Sequence, residues 1–387
     1  MITDEQAASL LGDLVRIESV TPWLIPGGAG ERAIAEHVAD RVRDLPVEVS
    51  LDEIQPGRVN TVIRLITGRP GPTLCVNAHA DTVGYANWAD RALVPQIDGD
   101  RMIGLGAADD KAGCAAALLA LRDLVESGAD LRGELMLALV ADEEGVSIGT
   151  EALIETYEMD ATLIVEPDEL PRAIVEHQGF GWVDVVVQGV PAHGSAPEVG
   201  VDAIVHMAEV VRRLHLLDVE VFAPNPDPMN GRTVFHTGTI QGGTDYATYP
   251  SRAVLGIEIG TQPGEHLSDR VADIEAIFEE IRADDPRFRG EVVVQLNREP
   301  FRAEGHEALW EAMDEAALEV LGTHLEAAGL NAWADSGLTQ RAGIPTVMFG
   351  PLGGNFHAPD EWVSISEVAA SARIVAETAR RYLAITV

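Results

Sequence analysis

The stretch ELMLALVADEEGVSIGT, residues 134–150, decides how this chain is read. Residues 135–141 are apolar without alternation, the pattern of a strand covered on both faces. The run then stops at three consecutive acids, Asp142, Glu143 and Glu144. Like charges this close repel, and burying them costs several kcal/mol unless something positive sits among them. A metal ion is the usual solution, and it would need further ligands from elsewhere in the chain.

Similar short apolar runs lie on either side: NTVIRLI, TLCVNAH and ATLIVEP. Helical spacing separates them, as in ERAIAEHVADRVRDL and in AGCAAALLALRDLVESG, which ends at Gly128. Strand–helix alternation with wholly apolar strands predicts an α/β sheet covered on both faces. The texture changes at GWVDVVVQGV, which alternates like a half-exposed antiparallel strand. Counting this strand, two helices and about four strands over 179–297 make a compact α+β module. The α/β pattern returns with HEALWEAMDEAALEVLG, PTVMFGP and SEVAASARIVAETARRYL. The expected organisation is a catalytic domain, residues 1–178 and 298–387, interrupted by an inserted domain, 179–297.

Bulk properties narrow the function. A chain of 387 residues is expected to hold two or three domains. The formal net charge of −36 disfavours nucleic acid and anionic membrane as partners. The first residues form an amphipathic pattern without the basic start of a signal peptide, and no apolar run reaches the roughly 20 residues of a membrane span, so a cytoplasmic protein is expected. Cys75 and Cys114 sit in apolar surroundings and read as buried thiols. Lys111 is the only lysine, and it lies inside an acidic motif.

Candidate ligands for a hard or borderline cation occur where apolar runs stop: His79 and Asp81 in NAHADTVG, Asp109 and Asp110 in GLGAADDKAG, Glu143 and Glu144, Glu166 in LIVEPD, and His357 in GGNFHAPDEW. Ligands of open α/β sheets bind beyond the carboxyl ends of strands. Taken singly, each signal is weak. A His-x-Asp pair is more often a surface pair, and adjacent acids after a strand are more often a solvated helix start. The five placements together carry the metal reading.

In these motifs, and in GRVNTVIRL, PAHGSAP, TYPSRA and PGE, the sequence resembles the dinuclear zinc peptidase and amidohydrolase family that contains acetylornithine deacetylase, succinyl-diaminopimelate desuccinylase, aminoacylase and carboxypeptidase G. The resemblance covers essentially the whole chain. It implies a mixed-sheet, zinc-aminopeptidase-like catalytic domain with an inserted ferredoxin-like α+β domain that acts as lid and dimerisation surface. It also implies two zinc ions, with cobalt or manganese as other fits. His79 and Glu166 would bind the first metal, Glu144 and His357 the second, and Asp109 would bridge them. Asp81 would hydrogen-bond the His79 ring, the Asp109–Asp110 peptide would be cis, and Glu143 would be the general base. His193, in the inserted domain, would reach the active site of the other subunit of a homodimer and help stabilise the oxyanion. Gly194 and Ser195 flank it.

One departure bears on the substrate. Where relatives place an arginine before the Pro-Gly-Glu turn this chain has Gly260, and where they place an asparagine before TYP-like proline it has Ala247. Arg252 is a nearby substitute for holding a carboxylate, and Asp335 and Ser336 are expected near the pocket. The implied activity is hydrolysis of an N-acyl amino acid or a short peptide, as a deacetylase or desuccinylase. A carboxypeptidase or dipeptidase is the alternative within the family. A non-catalytic binding homologue would have lost a ligand or the base, and none is lost. A dinuclear phosphatase or nuclease would want phosphate-binding basic groups beside the metals.

Overall fold

The computed structural model describes residues 2–384. The chain divides into two bodies. One comprises Met1–Val175, Ala303–Ala327 and Leu338–Val387, the other Glu176–Arg302 and Ala328–Gly337.

In the first body the strands of a mixed sheet run in the order Glu48–Gln55, Arg58–Ile66, Glu134–Val140, Thr73–His79, Ala161–Val165, Thr346–Phe349, then Arg172–His177, which belongs to this body as far as Val175. The four from Glu134–Val140 to Thr346–Phe349 are parallel. Their neighbours on each side are antiparallel. The opening stretch explains the layering. Leu135, Leu137 and Leu139 enter one core, with the helices Lys111–Glu126 and Ile365–Tyr382. Met136, Ala138 and Val140 enter a second with Leu153 of the helix Ile148–Thr156. Alternate side chains point to opposite faces of a strand, so apolar residues at every position mean two covered faces. Cys75 and Cys114 are both buried free thiols.

Parallel pairing has a direct consequence for function. It brings the carboxyl ends of all four central strands to one edge of the sheet, with His79 opposite Val140 and Phe349 opposite Val165. The helix Lys111–Glu126 starts at the same edge. Its cap is Asp110, whose Oδ1 accepts from Gly113 N at 2.9 Å. A Cβ on Gly113 would lie 2.3 Å from the Val165 carbonyl oxygen. Only glycine lets this helix start press so closely against the strand end.

The second body is an antiparallel sheet in the order Phe235–Gly242, Arg252–Thr261, Gly179–Gln188, Arg289–Arg298. The helices Ala203–Leu217 and Leu267–Asp284 share one apolar core with it. Chain order is strand–helix–strand–strand–helix–strand, and spatial order is fourth, first, third, second. That is the ferredoxin-like arrangement. Residues 328–337 return to this body although the sequence reading assigned them to the catalytic domain. The reason is a set of contacts invisible in local pattern. Trp333 Nε1 donates to Glu299 O at 3.1 Å, and its ring stacks edge-on to Phe180.

His177 lies in this second body, fully buried. Its Nδ1 donates to Gln178 O and its Nε2 accepts from Ser336 Oγ, each at 2.8 Å. Burial holds its pKa down to about 4. The ring stays neutral in the fold, whereas the unfolded chain takes up a proton below the ordinary value of about 6.5. The unfolded state therefore binds more protons between pH 6.5 and 4, and stability falls as pH falls through that window, by about 3 kcal/mol in all. Denaturant unfolding from pH 7 to 4 is expected to show this slope in the wild type and to lack it in His177→Asn. Parallel curves would refute the assignment.

Candidate metal centre

The parallel strand ends place the acids and imidazoles together. His79 closes its strand, Glu166 follows Val165, and Glu143 and Glu144 lie just past Val140. Asp109 precedes the helix Lys111–Glu126, and His357 stands on the loop after Thr346–Phe349. His79 Nε2 is 2.8 Å from Asp109 Oδ1 and 3.7 Å from Glu166 Oε1. His357 Nε2 is 3.3 Å from Asp109 Oδ2 and 3.0 Å from Glu144 Oε2. Asp109 thus turns one carboxylate oxygen to each imidazole. The Asp109–Asp110 peptide is cis. Asp110 also lies near His79 and Glu166. Its two oxygens, however, accept from the backbone N–H groups of Gly113 and His79, which makes it a cap rather than a ligand.

The neighbours of these side chains fix their orientation. His79 Nδ1 is 3.1 Å from Asp81 O and 3.4 Å from Asp81 Oδ1. Two acceptors there fix a proton on Nδ1, so Nε2 is the ring nitrogen that faces Asp109 and Glu166. The nearer acceptor is the Asp81 backbone carbonyl. The Asp81 carboxylate itself accepts from Glu143 N at 3.1 Å and Glu144 N at 3.3 Å. One buried acid therefore ties the turn carrying Glu143 and Glu144 to the loop carrying His79.

Asp142 is the first of the three acids at the strand end, and its positive partner is Arg58. Arg58 Nη2 is 2.7 Å from both Asp142 Oδ1 and Glu31 Oε1, and Thr21 Oγ1 donates to Asp142 at 2.9 Å. Asp142 Oδ2 also accepts from Val146 N at 3.2 Å. Burial works against the Arg58 charge, but Glu31 and Asp142 outweigh it and hold its pKa above the ordinary value. Leaving one of these buried carboxylates without its partner would cost on the order of 3–5 kcal/mol. Asp142 has left-handed backbone, φ 68°, so this network holds the turn in a conformation that costs about 1–3 kcal/mol. Sequence reasoning missed Arg58 and Glu31. The only signal was the basic residue in GRVN.

The charges at the sheet edge fit a cation. Burial and the neighbouring Asp109 push Glu144 up to about 7. Burial likewise raises Glu166 well above the carboxylate range. Hydrogen bonds to Asp109 and Glu144 push His357 up to about 11. Burial opposes the charge on His79, but Glu166, Asp109 and Asp81 overcome it and raise its pKa. The site holds protons where positive charge is wanted. Glu144 Oε1 is buried without a hydrogen-bond partner, an orphan that a cation would satisfy. Donors about 2 Å from a tetrahedral ion stand about 3.3 Å apart, and the separations of 2.8–3.7 Å match. The residues present therefore fit two adjacent metal ions with Asp109 shared.

A fully buried Glu361 and a fully buried Lys111 lie beneath this centre. Lys111 Nζ donates to Ile17 O at 2.7 Å, and burial pulls its pKa down to about 8. The remaining predicted residues belong to the other body. His193 is exposed, and its Nδ1 accepts from Ser195 N at 3.2 Å and meets Ser195 Oγ at 2.8 Å. With Nδ1 accepting from Ser195 N, Nε2 is the ring nitrogen left to donate. Arg252 opens its strand, exposed, opposite Gln188. Asp335 and Ser336 are buried, with Ser336 committed to His177. At Gly260 a Cβ would lie 2.8 Å from Gln178 Oε1 and 3.0 Å from Val234 N, so the Gln178 amide leaves no room for a side chain there.

Comparison with known proteins agrees with this geometry. Residues 75–381 match the peptidase family M20/M25/M40. Over 395 residues the chain is 28% identical to a succinyl-diaminopimelate desuccinylase of Thioalkalivibrio sulfidiphilus, covering 97% of this chain and 98% of the relative. It is 30% identical to an uncharacterized metallohydrolase, MJ0457, of Methanocaldococcus jannaschii, over about half of each (51% and 53%). The fold superposes on a tripeptidase of Staphylococcus aureus with a TM-score of 0.82, at 23% identity and 100% coverage of both chains. The catalytic body, the inserted ferredoxin-like body and the match over most of the length lead to one conclusion: the chain belongs to the M20 family of metallopeptidases and is a hydrolase.

Proposed function

We propose that the chain is a two-metal amidohydrolase that removes the acyl group from an N-acyl amino acid, with zinc as the resident metal and cobalt or manganese as workable substitutes. The observation that carries this reading is Asp109, whose two oxygens face the two imidazoles of His79 and His357. His79, Asp109 and Glu166 would hold one ion; Asp109, Glu144 and His357 would hold the other. Bound there, the ions would lower the pKa of a water and polarise the scissile carbonyl. Glu143 takes a proton from the attacking water on its carboxylate and delivers it to the leaving nitrogen as the C–N bond breaks, giving a carboxylic acid and an amine. Asp81 keeps Glu143 in place through the backbone bond to Glu143 N. The full-length match to a desuccinylase supports an acylated amino acid over an oligopeptide.

Metal uptake must displace protons from Glu144 and His357, which the metal-free protein keeps up to about pH 7 and 11. Titration with Zn²⁺ is expected to reach two equivalents, to release protons, and to tighten from pH 6 to 8. An affinity independent of pH would count against these ligands. Glu143→Gln should keep both metals and lose about 10²–10⁴-fold in kcat. The panel for that comparison is N-succinyl-diaminopimelate, N-acetylornithine, N-acetyl-methionine and several dipeptides. Turnover of dipeptides alone would replace the deacylase reading with a dipeptidase.

The inserted body supports a homodimer. The strand Phe235–Gly242 is a sheet edge, and the exposed apolar residues Ile240, Ile204 and Val205 lie on it or on the neighbouring helix. In the dimer His193 Nε2 would donate to the oxyanion formed in a second copy. Val205→Asp is expected to give a monomer by analytical ultracentrifugation. It should lose about 10²–10³-fold in kcat, as His193→Ala does, with metal content full in both. A fully active monomer would end this part of the reading.

A further inference from the structure

Glu361 lies four residues after His357, and its side chain is 1% exposed. Oε1 accepts from Ala108 N at 2.9 Å and Asp109 N at 3.0 Å, and Oε2 accepts from Gly106 N at 3.0 Å. Its own carbonyl accepts from Gly104 N at 3.0 Å. The short strand Trp362–Ser364 pairs antiparallel with Arg101–Ile103, with Trp362 opposite Ile103, and this delivers Glu361 alongside residues 104–109. Gly106 has φ +69°, and a Cβ there would lie 2.6 Å from Thr82 Cγ2 and 3.3 Å from the Lys111 side chain. The loop thus has Glu361 on its N–H groups and Lys111 against its turn. Lys111 N returns to Gly106 O at 2.9 Å.

We infer that Glu361 is a positioning residue of the metal centre: by binding the N–H groups of Gly106, Ala108 and Asp109 it locks the Asp109 loop to the His357 loop, and so holds the shared carboxylate between two cations. Glu361 would touch no metal in this arrangement, because both of its oxygens are taken by backbone N–H groups. It makes the distance between Asp109 and His357 a property of one rigid unit rather than of two independent loops. A carboxylate is required because three N–H donors converge on its two oxygens. An amide in the same volume turns an NH₂ group toward at least one of them, donor against donor. The inference rests on the two-metal reading, and the test separates the two.

The test is Zn²⁺ titration of the metal-free full chain, with wild type, Glu361→Gln and Glu361→Ala. Wild type must first take up two equivalents; fewer would overturn the two-metal reading and this inference with it. Glu361→Gln should bind one equivalent as wild type does and the second about 10–100-fold more weakly. Its kcat should be low at stoichiometric Zn²⁺ and recover with excess, while KM stays near wild type. Glu361→Ala should show the larger loss, and its folding is checked by circular dichroism. If it does not fold, Glu361→Gln alone decides. Two wild-type affinities in Glu361→Gln would overturn the proposal. So would an equal loss at both sites that tracks a fall in metal-free Tm, because that is ordinary destabilisation.

Discussion

Everything at the working edge of this protein depends on gathering negative charge where a sheet ends. Parallel pairing forces the carboxyl ends of four strands to one edge, and the sequence spends that edge on Asp109, Glu143, Glu144 and Glu166. Acids this close cannot all ionise in a buried setting without compensation. With no cation among them, these acids raise the proton affinity of both imidazoles, and burial with Asp109 raises that of Glu144. Bound cations would supply that compensation in place of the protons. The same constraint explains Arg58, which neutralises Asp142 and Glu31 just behind the site. The positive charge of the protein itself serves the acids that shape the turn. It leaves Glu143 and Glu144, the next two residues, to other partners.

The support is layered rather than diffuse. Asp81 joins the His79 loop to the Glu143–Glu144 turn through two backbone N–H groups. Asp110 caps a helix and accepts from His79 N with the same carboxylate. Glu361 grips the Asp109 loop. Each is a buried acid whose oxygens are filled by backbone donors, and such bonds are shorter in reach and stiffer than contacts between long side chains. The candidate ligands are placed by the backbone, and the backbone is placed by Asp81, Asp110 and Glu361.

Much of this was legible in the sequence because it is local. Apolar runs ending in acids gave the strands and their edge, and the alternation in 179–188 marked a new body. Asp109, Glu144, Glu166, His79 and His357 all stand where apolar runs stop, and the fold brings their side chains together. What stayed hidden was long-range. Arg58 meets an acid 84 residues away, and Glu361 meets N–H groups more than 250 residues away. No local periodicity records such pairings. Residues 328–337 fall in the second body, where Trp333 meets Phe180 and Glu299 far away in sequence. Gly260 was legible as a difference from relatives, but its cause, the Gln178 amide filling the space, required coordinates.

Lys111 carries a consequence unrelated to catalysis. It is the chain's only lysine, and its ammonium is sealed inside the fold against the Ile17 carbonyl. The folded surface therefore offers no ε-amino group at all. Acetylation, glycation, ubiquitin-type conjugation and amine-reactive dyes have no lysine to attack until the loop around residue 106 opens. A chain proposed to cleave acyl groups from nitrogen presents no lysine amine on which stray acyl donors could accumulate, and lysine labelling becomes a direct clock for the opening of its core.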